Sequence, residues 1–210
     1  MKKVISYHRE EKLNAISHGL GSLLGVIGFF MLWQLHNPLT PWASFSVIIY
    51  SISIIVLFSA STLYHSVHNP GFKKKLRVLD HISIFVLIAG TYTPVALLTL
   101  IGGMGLTLFY IVWGIAFAGI LFKLFYTGKY EYISLLLYLV MGWLIVLDFQ
   151  SLWHQLSGTG IALLFLGGAF YTVGILFYAI KKIPYNHLIW HLFVLGGAIS
   201  HWLLIYYEII

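Results

Sequence analysis

The chain has 210 residues, 60% of them hydrophobic and only 9% charged, and a mean hydropathy of +0.92. A water-soluble domain cannot hide that much apolar surface, which excludes the ordinary soluble classes. The net charge is +6, and the absence of cysteine rules out disulfides and thiolate metal sites.

A bilayer core takes about 20 apolar residues per helix. Runs of that length predict an all-α integral membrane protein, a seven-transmembrane helix bundle with spans at 15–35, 42–66, 77–100, 105–125, 131–149, 159–180 and 187–207. The opening "MKK" imitates a signal peptide, but no small-residue cleavage site ends the first apolar run, so it reads as a retained helix. Polar breaks separate the spans: "HNPLTP", "HNPGFKKK", "GGMG", "TGKYE", "QSLWHQLSGTG" and "KKIPYN" in turn. None is long enough to divide the chain, so residues 1–210 read as one membrane domain.

With seven spans, all 12 Lys and Arg fall on one side. The positive-inside rule makes that side cytoplasmic, with the N-terminus inside and the C-terminus outside. One helix more or fewer would scatter these charges over both faces. A one-sided basic belt beside anionic lipid accounts for the net charge without a nucleic-acid partner.

Ionisable residues inside a membrane are costly, so their depths matter. His18 in "EEKLNAISHG", His65 in "SASTLYH", Asp80 and His81 in "RVLDHIS", and His187 and His191 in "NHLIWH" all map to the inner ends of spans one, two, three and seven. His187 and His191 are four apart, which puts two imidazoles on one helix face about 6 Å apart. His65 has the matching depth to complete three nitrogen ligands, the set found with an open position in catalytic zinc sites. The same residues also fit hydrogen bonds across helices. Ser61, four before His65, fits a packing residue or a hydroxyl bonded to its own backbone. Asp80 lies close enough to Lys75 and Arg77 for an interfacial ion pair.

In order and spacing, "EEKLNAISHGLG", "SASTLYHS", "LDHISIFVLIAGTYTP" and "HLIWH" resemble the hemolysin III-type bacterial membrane proteins. These form the bacterial branch of the progestin and adiponectin receptor family, within a superfamily that includes the alkaline ceramidases. The resemblance covers nearly the whole chain. It implies a seven-helix bundle in a bacterial cytoplasmic membrane and one zinc ion held by His65, His187 and His191, with Asp80 contacting the water on the metal.

The function so implied is zinc-dependent hydrolysis of a lipid amide or ester, with a membrane lipid as substrate and Asp80 and Ser61 as the catalytic pair. A carboxylate is needed because three neutral imidazoles leave no base among the ligands. A closed site, with Asp80 as fourth ligand, would instead make the zinc structural and the protein a sensor of membrane lipid state. A pore-forming cytolysin, as the family name suggests, must stay soluble before insertion, which seven retained spans oppose. Transport would use buried His and Asp, but no inverted repeat is visible.

Glu11, Asn14 and His18 form one stripe on span one, either orienting a ligand imidazole or capping the start of the helix. Pro94 is expected to kink span three, with Thr91 or Thr93 bonding the freed backbone. Gly21 and Gly25 form a GxxxG expected to pack within the bundle. Asp148 reads as a solvated interfacial acid. His201 lies about 15 Å beyond His191 along its helix, where a hydrogen bond to a neighbouring helix is expected. The sequence leaves the oligomeric state open.

Overall fold

A computed structural model describes residues 2–210, with side chains from residue 8 onward. Among the described residues, seven helical stretches are long and apolar enough to cross a membrane: His8–Leu35, Ala43–Ser66, Pro70–Thr99, Gly105–Tyr126, Glu131–Gln155, Gly158–Ala179 and Asn186–Ile209. They are built from α1 (Lys2–Leu35), α2 (Ala43–Ser66), α3 (Pro70–Pro94), α4 (Gly105–Tyr126), α5 (Glu131–Trp143), α6 (Phe149–Gln155), α7 (Gly158–Ala179) and α8 (Asn186–Leu204). Each expected span is present, and the differences lie at the ends and in the third and fifth crossings.

Helix α3 begins at Pro70 rather than near residue 77, so the triple lysine "KKK" belongs to its first turns. The cause is local. The Asn69 side chain accepts from the Phe72 N–H at 3.1 Å, and Pro70 occupies the first helical position, where its missing N–H costs nothing. Helix α1 likewise starts well before residue 15, because nothing in "KKVISYHREEKLN" breaks it. Residues 11 to 18 are therefore mid-helix, which removes the capping alternative for the Glu11, Asn14 and His18 stripe.

At Pro94 the α-helix passes into one π-helical turn, Val95–Thr99, closed by the Leu100 N–H donating to the Val95 carbonyl. Proline has no N–H to give the Gly90 carbonyl, and widening the helix accommodates the ring. Thr91 and Thr93 do bond backbone one turn earlier, to the Leu87 and Ala89 carbonyls at 2.8 and 2.9 Å. Neither reaches Gly90.

The fifth crossing continues to Gln155, past the expected end at 149. Between α5 and α6 it tightens into a 3₁₀ stretch, Leu144–Asp148. Tyr92 of α3 secures that irregularity, donating its hydroxyl to the Gly142 carbonyl at 3.0 Å and accepting from the Ile145 N–H at 2.8 Å. Asp148 is not simply solvated. It accepts from the Met104 N–H at 2.9 Å and from the Ser151 hydroxyl at 2.5 Å, tying the α3–α4 turn to α6.

Helix α2 sits between α1 and α3, and α8 packs against α1 and α7. Lipid tails are as apolar as Leu, so close packing rather than exclusion from water holds such helices together. Gly21 and Gly25 serve that purpose within the bundle, since a side chain at either would run into Phe58 or Ile54 of α2. Val47, Ile54, Leu57, Phe58, Leu87 and Val194 form the buried centre beside them. The fifth and sixth crossings are loosely held: only 17% of each is buried, against 61% of the third. The interior thus has one thin wall.

Candidate metal centre and cavity

Alternating crossings bring the ends of α1, α2, α3 and α8 that share the basic residues to one depth. There the side-chain nitrogens of His65, His187 and His191 come within 4.8 Å of one another. His65 and His191 are buried and His187 partly so. The Nε2 atoms of His65 and His187 are 3.3 Å apart. Two nitrogens on a tetrahedral ion with about 2.05 Å bonds would be separated by about 3.3 Å.

The outer nitrogens explain why the inner ones are free. His65 Nδ1 lies 3.1 Å from Glu11 Oε1, and a carboxylate accepts, so Nδ1 carries the proton and Nε2 keeps its lone pair. Glu11 is itself held by the Lys73 ammonium. His191 Nδ1 lies 3.3 Å from the Asn14 main-chain carbonyl, with the Ser17 hydroxyl at 3.5 Å. A carbonyl only accepts, so here too Nδ1 donates and Nε2 is left as a ligand atom. These are the partners that fix a metal-ligating imidazole's tautomer and ring angle. The donor set therefore fits a nitrogen-ligand ion such as zinc.

The span-one stripe lies against this cluster, each member in its own way. Glu11 acts through its carboxylate, and Asn14 through its backbone, while the Asn14 side-chain amide is buried with no protein partner. His18 stacks on His191 with ring centroids 3.6 Å apart and planes within 11°. Both His18 ring nitrogens are buried without a hydrogen bond.

Asp80 and Ser61 share the wall of a cavity of about 170 Å³ with His187 and His191. Asp80 is not among the side chains whose ligand atoms converge with the three histidines. It stands next to the ligand set and outside it.

From this polar end the cavity continues between apolar and aromatic side chains, among them Ile84, Leu87, Ile175 and Tyr171, as far as His201 and Leu204. On the thin side of the bundle it is lined by Trp143, Val146 and Phe165, each also partly exposed on the outer surface. The Trp143 indole N–H donates to the Thr172 hydroxyl at 3.3 Å, linking α5 to α7 there. His201 makes the interhelical bond expected of it, with Nε2 3.3 Å from the Leu164 carbonyl of α7.

One ionic cluster had no place in the reading of the sequence. Lys123 of α4 is wholly buried and donates to Glu131 at 2.5 Å. Arg77 and His81 of α3 each lie 3.6 Å from the same carboxylate. Glu131 and His81 both line the cavity. The visible signal was Lys123 itself, a lone charge inside "ILFKLFY". Close by, the Lys181 ammonium sits 4.2 Å from the Tyr178 ring centroid, and burial lowers its pKa below the ordinary lysine value.

Known proteins are similar in sequence to this chain along almost its whole length. It is 42% identical to "Hemolysin-3" of Bacillus cereus, over 94% of this chain and 91% of that protein. It is 46% identical to "Hemolysin-3 homolog" of Bacillus subtilis (strain 168), over 90% of each. The human "Monocyte to macrophage differentiation factor" is 29% identical over 92% of this chain and 82% of its own. No solved structure matches the chain. Residues 6–202 match the family model described as "Haemolysin-III related", and the chain belongs to that family.

Proposed function

We propose that this multi-pass membrane protein is a zinc-dependent hydrolase of membrane-lipid amide or ester bonds. The observation that carries this reading is a three-histidine cluster, two of whose members, His187 and His191, share the wall of a largely apolar cavity with the Asp80 carboxylate. His65, His187 and His191 would hold the ion. Zinc so bound supplies a Lewis acid and acidifies a water near neutral pH.

The chain's own groups account for the rest. Asp80 takes the proton from the attacking water at its carboxylate and returns it to the leaving amine or alcohol. Ser61, on the same cavity wall as Asp80, donates its hydroxyl to the carbonyl oxygen as charge develops there. Glu11 and the Asn14 carbonyl keep the imidazoles oriented without being consumed. The apolar walls between the site and Tyr171 take the acyl chain. The thin wall at Trp143 and Phe165 gives a lipid a short route from the bilayer.

The structural-zinc alternative needs Asp80 as a fourth ligand, and its position outside the converging set speaks against that. A cytolytic role is carried by the names of the two Bacillus relatives, not by any feature of this geometry. The positive-inside rule supports reading the basic end as cytoplasmic, and with the Bacillus relatives it supports a site near the inner face of a bacterial cytoplasmic membrane.

Purified protein should contain one zinc per chain and release fatty acid from some member of a broad panel of N-acyl and O-acyl lipids. Stoichiometric zinc with no release from any of them counts decisively against the reading.

A further inference from the structure

The cavity stops short of the far ends of the helices that surround it. Farthest from the histidine cluster it is lined by Val95 after α3, Phe149 of α6, Leu164 of α7, and Leu204 and Ile205 at the end of α8. Beyond them the bundle is packed, since Val95 and Leu204 also belong to a buried core with Leu100, Leu108, Leu152 and Leu156. We infer that this floor measures acyl-chain length: with the carbonyl seated at the histidine cluster, a chain of up to about 16 carbons fits, and a longer one meets packed core. The inference rests on the lipid-hydrolase reading for the kind of ligand.

Two helices give the length independently. Helix α3 runs unbroken from Asp80 to Pro94, so Val95 lies fifteen residues and about 22 Å beyond Asp80. Helix α8 is one helix from Asn186 to Leu204, which puts Leu204 thirteen residues and about 20 Å beyond His191. Carbon–carbon bonds of about 1.5 Å laid in a zigzag advance about 1.25 Å each, so about 16 carbons span that distance.

The floor is stiff because backbone stands behind it. Pro94 brings on the π-helical turn Val95–Thr99, and α8 passes into a second one, Ile205–Ile209, closed by the Ile210 N–H donating to the Ile205 carbonyl at 3.0 Å. The two turns, each wider than an α turn, pack against one another. Gly105, at the start of α4, lies so close to the first of them that any side chain there would strike the Ala96 and Leu100 carbonyls. A side chain alone could swing to another rotamer, whereas this backbone cannot step aside for extra methylenes.

The test is a competition among equimolar saturated fatty acids of 10 to 22 carbons for the zinc-loaded protein in detergent, with occupancy read by native mass spectrometry. Micelles offer every chain an apolar alternative, so length by itself confers little advantage. Acids of up to 16 carbons should be retained alike, and those of 20 and 22 carbons about tenfold less, because the surplus must enter a packed core. Ile88→Trp adds bulk to the cavity wall eight residues, about 12 Å, beyond Asp80, and should exclude acids longer than about 10 carbons. Leu204→Ala should move the drop to longer chains. Even retention up to 22 carbons in the unaltered protein would mean that the chain end leaves through the thin wall at Trp143 and Phe165. That result overturns the measuring floor and leaves the hydrolase reading standing, as does a drop that both variants leave in place. Retention of no acid at any length overturns both. Where a variant does not fold, the series in the unaltered protein decides.

Discussion

The Glu11 carboxylate bridges His65 Nδ1, 3.1 Å away on α2, and the Lys73 ammonium on α3, so one side chain of α1 sets the orientation of a candidate metal ligand. Its contribution is to hold the ring's tautomer and angle. Truncation by Glu11→Ala should therefore weaken zinc binding about 10- to 100-fold, the usual cost of losing such a partner. Helix content should be unchanged. Chelator competition on purified protein reads the affinity, and a value equal to the unaltered protein's would mean that His65 is positioned without Glu11.

Asp80→Asn distinguishes catalysis from architecture. If the carboxylate moves a proton, lipid turnover should fall by about 10²- to 10⁴-fold, while zinc content and thermal stability stay as they were. Loss of zinc on the same substitution would instead mark Asp80 as a ligand and the site as closed. Full activity with zinc retained would remove Asp80 from the mechanism.

What was legible in the sequence was whatever depends on hydropathy and on depth. Seven apolar runs define the crossings, and their alternation alone brings His65, Asp80, His187 and His191 to one level. Chain direction inside a level was not legible. Nothing in "EEKLNAISH" says that Glu11 reaches His65 by its side chain, Asn14 reaches His191 by its backbone, and His18 only stacks. Such differences depend on how α1 is rotated against α2 and α8. The start of α3 is hard to see because a lysine run resembles a loop, although the Asn69 and Pro70 pair that begins the helix is a capping signal. The Lys123 and Glu131 pair spans a turn between two crossings, and its partners Arg77 and His81 come from a third.

That cluster yields a stability prediction. Lys123 is fully buried and Glu131 partly so, and removing one partner of a buried pair leaves the other uncompensated. Lys123→Met should lower the stability of the detergent-solubilised protein by about 3 kcal/mol, the low end for buried pairs, because Glu131 retains Arg77 and some solvent. Adding Glu131→Gln to it should cost less than the two single changes summed. Additive losses in thermal melts would show that the two side chains are not coupled.

Two glycines of α4 provide a paired comparison in which propensity and packing oppose each other. Alanine is the better helix former at both. At Gly119 the added methyl would strike the ring of Phe85, which is fully buried and belongs to the core shared by α3, α4 and α5. That ring has nowhere to go, so Gly119→Ala should destabilise by about 1–3 kcal/mol, as overpacked cores do. At Gly114 nothing lies within 4 Å of the new methyl, so only the helix preference remains, and Gly114→Ala should stabilise by about 0.5–1 kcal/mol. For a chain of this length the two melting temperatures should then move in opposite directions, by roughly 2–4 °C per kcal/mol. If Gly119→Ala melted above the unaltered protein, the contact of α4 with Phe85 would not be as close as the structure has it.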